Sequence, residues 1–456
     1  MPISIAINKA SNGHPAESDG GFFRAGTVLA LTGFLVFFLI LFVPTTYAEI
    51  KAVLLSAFLL SIVVGTLNGA RFRVHRQVFL LCLFYSCMGM AYVLYGYLNG
   101  NPGALKVATV YVIWPLVYML LISTISQEWV IRGLAQVLIF SSIAISFYAL
   151  YYLLYVMGVV PSWLYLELDM GQAASFYKGF VEYNLYSIAT LLFLVPFISA
   201  ALLFWQGEKK SPVSHKWLIL AFMLVACASV LSGRRALWLV VGLTPILIAV
   251  ILIFDRQRMA VLRKVKAFSP YLAGMLIVSA TVLVLEFGVN PFGMLTTFLA
   301  GFQFESDPSA SARSEQFFAL TADWASRPFF GAGLGAVAEG SIRSEEMPWA
   351  YELYFLSVLF QIGIAGFLAY AFGIGWILFY SVKIIRHDPT LRLYLIPVLA
   401  GMISFLVASN TNPYLAKFDY LWIVFLPVAI INHYLLKGLP RVISPPETVP
   451  TRLTAY

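Results

Sequence analysis

Between Gly288 and Glu352 the chain reads GVNPFGMLTTFLAGFQFESDPSASARSEQFFALTADWASRPFFGAGLGAVAEGSIRSEEMPWAYE, the only long polar segment between hydrophobic spans. It carries Arg313, Arg327 and Arg343, a run of carboxylates, Trp324, Trp349 and a glycine-rich turn. A connection this long is uncommon unless it is functional or disordered. The aromatics and the turn predict an ordered element. Outward from it in both directions the sequence is mostly hydrocarbon.

Over 456 residues the chain is 61% hydrophobic and 11% charged, with a mean hydropathy of +0.86. Soluble domains carry roughly 25% charge, so the composition indicates a polytopic membrane protein. Windows of about 20 apolar residues predict an all-α protein of about twelve spans. They lie near 26–46, 50–68, 79–98, 105–124, 135–157, 184–205, 216–232, 236–254, 269–287, 352–380, 391–410 and 418–436. The expected organisation is an N-terminal tail (1–25), spans one to nine (26–287), a large loop (288–351), spans ten to twelve (352–436) and a C-terminal tail (437–456). The first span lacks a small-residue cleavage site and reads as a retained helix, not a signal peptide.

Lysine and arginine give an orientation. With the N-terminus inside, 20 of the 29 basic residues fall on inner segments. The positive-inside rule then predicts both termini in the cytoplasm and the 288–351 loop outside. In a bacterial inner membrane that side is the periplasm. The net charge of +8 is topology-setting charge scattered through short loops, and it does not indicate a nucleic-acid partner. Cys82, Cys87 and Cys227 all fall in apolar spans, so no disulfide framework is expected. No internal repeat or mirrored pair of broken helices is evident, which weakens a transporter reading.

The polar features converge on the predicted outer face. Ser232-Gly233-Arg234-Arg235 breaks a helical hairpin there. The two arginines read either as side chains snorkelling to headgroups or as an anion-binding corner backed by the N–H groups of the next helix. Residues 312–325 have the period of a helix with one buried face, which puts Arg313 in its first turn. Arg327 precedes a Gly331-Ala332-Gly333-Leu334-Gly335 turn. No strand precedes that turn, so it is not a Rossmann fingerprint. Glu352 opens the tenth span, either as a charge favoured by the helix dipole or as a general base. The aromatic 158–183 segment reads as an interfacial belt or as a lid. His14, His75, His215, His387 and His433 all map to the inner side. Outer-face chemistry therefore falls to Arg, Asp or Glu, Tyr and backbone. That argues against a zinc site, and the nearest carboxylate pair, Glu167 and Asp169, looks interfacial.

These motifs resemble the bacterial O-antigen ligase and polymerase superfamily. Leu231-Ser232-Gly233-Arg234-Arg235-Ala236-Leu237-Trp238 is similar to its helix–helix break, with Arg235 at the arginine position. Arg313, Trp324, Pro328 and the 331–335 turn are similar to its periplasmic loop. Tyr351-Glu352-Leu353-Tyr354 with Gln361-Ile362-Gly363-Ile364-Ala365-Gly366 is similar to the segment that re-enters the membrane. Ligases of this superfamily usually carry a histidine where this chain has Tyr351-Glu352. That departure, and Asn410-Thr411-Asn412-Pro413-Tyr414-Leu415 after the eleventh span, make the chain more like a Wzy-type repeat-unit polymerase. The resemblance implies a GT-C-like membrane glycosyltransferase without metal or cofactor. It would act on undecaprenyl-pyrophosphate-linked oligosaccharides, with a chain-length regulator as a possible partner. Arg235 and Arg313 would neutralise the pyrophosphate, with Arg234, Arg327 and Arg343 assisting. Glu352 would be the base, and Tyr351, Trp349 and Asn412 would orient sugars. The alternatives are a ligase that transfers polymer to lipid A-core and a polysaccharide flippase or exporter.

Overall fold

The structure is a computed structural model that describes residues 19–67, 73–125, 127–177, 180–206, 208, 210–255, 277, 281, 308–340 and 344–438. The helices in chain order are α1 (Asp19–Phe42), α2 (Ala48–Leu67), α3 (Arg76–Leu98), α4 (Ala104–Ala108), α5 (Trp114–Thr124), α6 (Glu128–Val156), α7 (Ile188–Trp205), α8 (His215–Leu231), α9 (Arg235–Leu252), α10 (Pro308–Ser326), α11 (Tyr354–His387), α12 (Pro389–Ala408) and α13 (Trp422–Lys437). A π-helical turn, Thr109–Ile113, joins α4 to α5 as one span. Among the described residues eight helices are long and apolar enough to cross a membrane, and Leu29–Phe42, His215–Leu231 and Trp422–Lys437 are shorter apolar helices. Together they match eleven of the expected spans. The twelfth, 269–287, lies outside the described residues.

Among the described residues the architecture departs from all-α in one place. Ala173–Tyr177 and Phe180–Asn184 pair as an antiparallel ribbon inside the aromatic 158–183 segment. Tyr183 ties this ribbon to the helical hairpin. Its hydroxyl donates to Ala228 O (2.8 Å) and its backbone N–H to Ser232 O (3.4 Å).

The core forms around α7, whose residues are all buried. A helix apolar on every side belongs in the middle of a bundle. Its main neighbour is α12. Lipid gives helices little hydrophobic reason to associate, so close packing and interhelical hydrogen bonds hold them together. Gly401 lies under the Phe193 ring, where a Cβ would come within 2.7 Å. Ser404 Oγ donates to Leu192 O at 2.8 Å, and Trp205 Nε1 donates to Leu393 O at 2.7 Å.

Two buried ion pairs lock opposite ends of the bundle. Lys51 Nζ lies 2.9 Å from Asp419 Oδ1 and also donates to Val43 O at 3.1 Å. At the other end Arg392 Nη1 lies 2.9 Å from Asp255 Oδ1. Both pairs occupy helix termini, where a desolvated charge costs less than at mid-membrane. The end that holds Lys51 and Asp419 also carries the hairpin break and the 308–353 segment, and it is called the loop end below.

Candidate functional site at the loop end

Arg313 and Glu352 meet because α10 packs onto the turn before α11. The predicted helix over 312–325 is present and slightly longer, Pro308–Ser326. Leu320 on its inner face is fully buried with Ala332, Ala336, Ala338, Tyr351 and Phe360. Gln316, 2% exposed, accepts the Glu352 N–H at 3.0 Å. Glu352 stands two residues before α11, and its own carbonyl accepts the Tyr354 N–H at 2.9 Å. Arg313 Nε then lies 2.8 Å from Glu352 Oε2. The contact is an ion pair too bent for an aligned hydrogen bond.

The hairpin break supplies a second guanidinium. Gly233 adopts φ 69°, a conformation that favours glycine, and turns the chain between α8 and α9. Arg234 caps α9, with its N–H donating to Ser232 Oγ at 3.2 Å. Its side chain bonds the Tyr414 hydroxyl, and its charge also reaches Tyr183 and Tyr420. Arg234 Nε is buried with no hydrogen-bond partner among the described residues. Such an N–H is costly to leave unpaired, and an anion would satisfy it. Arg235, half-buried, opens α9 beside it.

Tyr414 joins the two halves. It follows Pro413 in the loop between α12 and α13, where its ring packs tilted against Phe405 and edge-to-face against Tyr420. Besides Arg234, it senses the charges of Glu352 and Arg313. Burial pushes its phenol above the usual range, and the two arginines oppose that shift. Sequence reading placed Tyr414 within the Asn410–Leu415 motif but gave a role only to Asn412. A tyrosine in a chain with 25 of them carries no local signal, because only the fold brings it to Arg234. Asn412 is two residues away, and its described side-chain hydrogen bond goes to Thr411 Oγ1 at 3.3 Å.

Several expected members of the site are placed elsewhere. Arg327 lies beyond the end of α10, ~20 Å along the helix axis from Arg313, so the two cannot clamp one pyrophosphate. It is exposed and forms no ion pair among the described residues. Tyr351 is 1% exposed, and its hydroxyl accepts the Ala338 N–H at 2.6 Å. It is a core residue of the loop, not an open sugar platform. Trp349 packs over Gly103, with Lys106 Nζ 4.8 Å from its ring centre. Arg343 lies outside the described residues.

The glycine turn has a structural role. The eleventh helix is interrupted at Gly363 (φ 64°, ψ −174°), and the turn makes good the hydrogen bonds this breaks. Ala332 N–H donates to Phe360 O (3.0 Å) and Gly333 N–H to Gln361 O (2.8 Å). In return Ile364 N–H donates to Pro328 O (2.9 Å) and Ala365 N–H to Phe329 O (3.0 Å). Gly335 N–H goes to Gln361 Oε1 (3.0 Å) and Leu334 N–H to Tyr92 O (3.2 Å) on α3. Those N–H groups are committed within the protein, so the turn is a clasp and not a phosphate cradle. The break also corrects the expectation of an uninterrupted tenth span.

Comparisons with protein-family models, curated proteins and solved structures found no match to this chain.

Proposed function

We propose that the chain is a membrane glycosyltransferase that polymerises undecaprenyl-pyrophosphate-linked oligosaccharide repeat units, acting at the periplasmic side of a bacterial inner membrane. One observation carries the reading: residues 234, 313, 352 and 414, far apart in sequence, converge at one end of an apolar bundle. They supply two guanidiniums, one carboxylate and one phenol. The motif resemblance in the sequence points the same way.

The residues divide the work. The acceptor sugar hydroxyl loses its proton to Glu352 as its oxygen attacks the anomeric carbon of the donor. The bond from that carbon to the pyrophosphate oxygen breaks, with inversion. Arg234, Arg235 and Arg313 hold the charge that grows on the leaving group. Arg313 is paired with Glu352, so pyrophosphate and carboxylate compete for it. Donor binding draws Arg313 toward the phosphates and releases Glu352 to act as base. The site is then assembled only when the donor is present.

An exporter reading fits less well. Exporters need charge facing a cavity deep in the membrane, whereas the buried ion pairs described here cap helix ends.

The test is a reaction of the purified full chain with a lipid-linked repeat unit as sole substrate. The expected product is a ladder of lipid-linked oligomers. Glu352→Gln is expected to lower turnover at least ~100-fold, and Arg234→Ala to weaken use of the pyrophosphate donor. Transfer only when a core lipid is supplied would make the chain a ligase. Binding without any product would replace catalysis with transport.

A further inference from the structure

Arg327, left outside the Arg313 cluster, opens a segment with an unusual combination of rigidity and exposure. Its N–H donates to Trp324 O (2.9 Å) and its carbonyl accepts from Gly331 (3.0 Å). Pro328 O takes the indole N–H of Trp324 (3.3 Å) as well as the Ile364 N–H. The Arg-Pro-Phe-Phe backbone is thus pinned to α11 at its break. Yet the Phe329 and Phe330 rings are 69% and 65% exposed, next to a loop core that buries Leu320, Tyr351 and Phe360. Two rigidly presented phenylalanines mark a surface that something covers.

The position of the break says what covers it. Residues 364–387 alone rise ~36 Å as a helix, already enough for a hydrocarbon layer of about 30 Å. The break therefore lies near the membrane boundary, and residues 354–362 belong to the loop. Below the break α11 exposes Ile364, Leu368, Phe372 and Phe379 along one stripe, the face a spanning helix turns to lipid. Phe329, whose carbonyl bonds Ala365 N, stands at the head of that stripe. Arg327, exposed and without an ion pair among the described residues, immediately precedes Pro328 and the two phenylalanines in the chain.

We propose that residues 327–330 form a wedge inserted into the leaflet at the loop end. Phe329 and Phe330 sit among the upper acyl chains, and Arg327 binds the phosphate of an anionic phospholipid. Aromatic rings favour this depth, and a guanidinium takes phosphate bidentately. The wedge stands independently of the glycosyl-transfer reading.

The test uses the full chain in nanodiscs of mixed zwitterionic and anionic phospholipid. Cys82, Cys87 and Cys227 are replaced by alanine, and Phe330→Cys carries an environment-sensitive fluorophore. Glu339→Cys, on an exposed turn of the loop, is the aqueous control. Phospholipids spin-labelled high on the acyl chain are expected to quench the position-330 probe at least about twofold, and iodide only the position-339 probe. Iodide quenching of both probes alike would overturn insertion. With spin-labelled phosphatidylglycerol and phosphatidylcholine compared, the position-330 probe is expected to report about fivefold enrichment of the anionic lipid, equivalent to ~1 kcal/mol. Arg327→Ala is expected to abolish that preference. Equal quenching by the two lipids in the parent protein would overturn the phosphate site. A charge-neutral loss of fold is excluded by Arg327→Lys, which is expected to retain the insertion signal and part of the lipid preference.

Discussion

A phenol to which the sequence assigned no role is weighed by what it touches: Tyr414 is the residue that connects the hairpin arginine to the loop carboxylate. Its hydroxyl bonds the Arg234 side chain, and one such hydrogen bond to a charged group is worth about 1.5–3 kcal/mol. Tyr414→Phe keeps the ring and its packing on Phe405 and Tyr420. It is expected to leave thermal stability in detergent nearly unchanged while, under the proposed glycosyl-transfer function, lowering kcat/KM for a lipid-linked donor at least ~10-fold. Equal kinetics for the two proteins would remove Tyr414 from the site. Burial raises its ionisation above the usual tyrosine range, so the phenol stays neutral at pH 7 to 9. Over that interval the ratio of wild-type to variant rates is expected to be flat with pH. At this scale the sequence was informative only where chemistry is rare in the surroundings. Arg313 and Glu352 stood out against hydrocarbon, and the structure pairs them. Tyr414 and the burial of Tyr351 depend on long-range packing that no local pattern encodes.

Elements were more legible than residues. Apolar windows located eleven helices because a span must satisfy its own backbone and expose hydrocarbon, and both demands are written locally. The break at Gly363 was not legible. Its sequence, Gln361-Ile362-Gly363-Ile364-Ala365-Gly366, is as apolar as an intact span, and the break exists because a loop segment thirty residues upstream replaces the lost hydrogen bonds. A Cβ at Gly363 would lie 2.4 Å from the Phe329 carbonyl, and one at Gly331 would lie 2.6 Å from Gln361. Both glycines also have positive φ. Gly363→Ala and Gly331→Ala are each expected to cost at least ~2 kcal/mol, seen as a lower melting temperature and faster proteolysis between α10 and α11. If both variants melt like the parent protein, the clasp does not form. The ribbon at 173–184 was hidden in the same way, since its aromatics suit a membrane interface as well as a strand.

For the whole molecule, the buried pair of Lys51 and Asp419 joins the start of α2 to the approach to α13, 368 residues apart. Lys51→Met leaves Asp419 charged and buried, and is expected to destabilise the bundle by ~3–5 kcal/mol. Adding Asp419→Asn removes the stranded charge and is expected to recover most of that loss, measured by thermal unfolding in one detergent. A double variant no better than Lys51→Met would show that the aspartate is not the source of the strain. The glycine clasp also sets an order of events during synthesis. Leu334 bonds Tyr92 on α3, made long before it, and Gly333 bonds Gln361, made after it. As the ribosome extrudes the chain, the 327–335 segment can dock early on α3, but it stays half-bonded until α11 emerges. Glu352 and Gln361 follow it by only a short stretch of translation, and the site closes last of all at Tyr414, once α12 has been made. A nascent chain arrested before residue 361 would carry every arginine of the site, but neither Gln361 to complete the clasp nor Tyr414 to join the two halves.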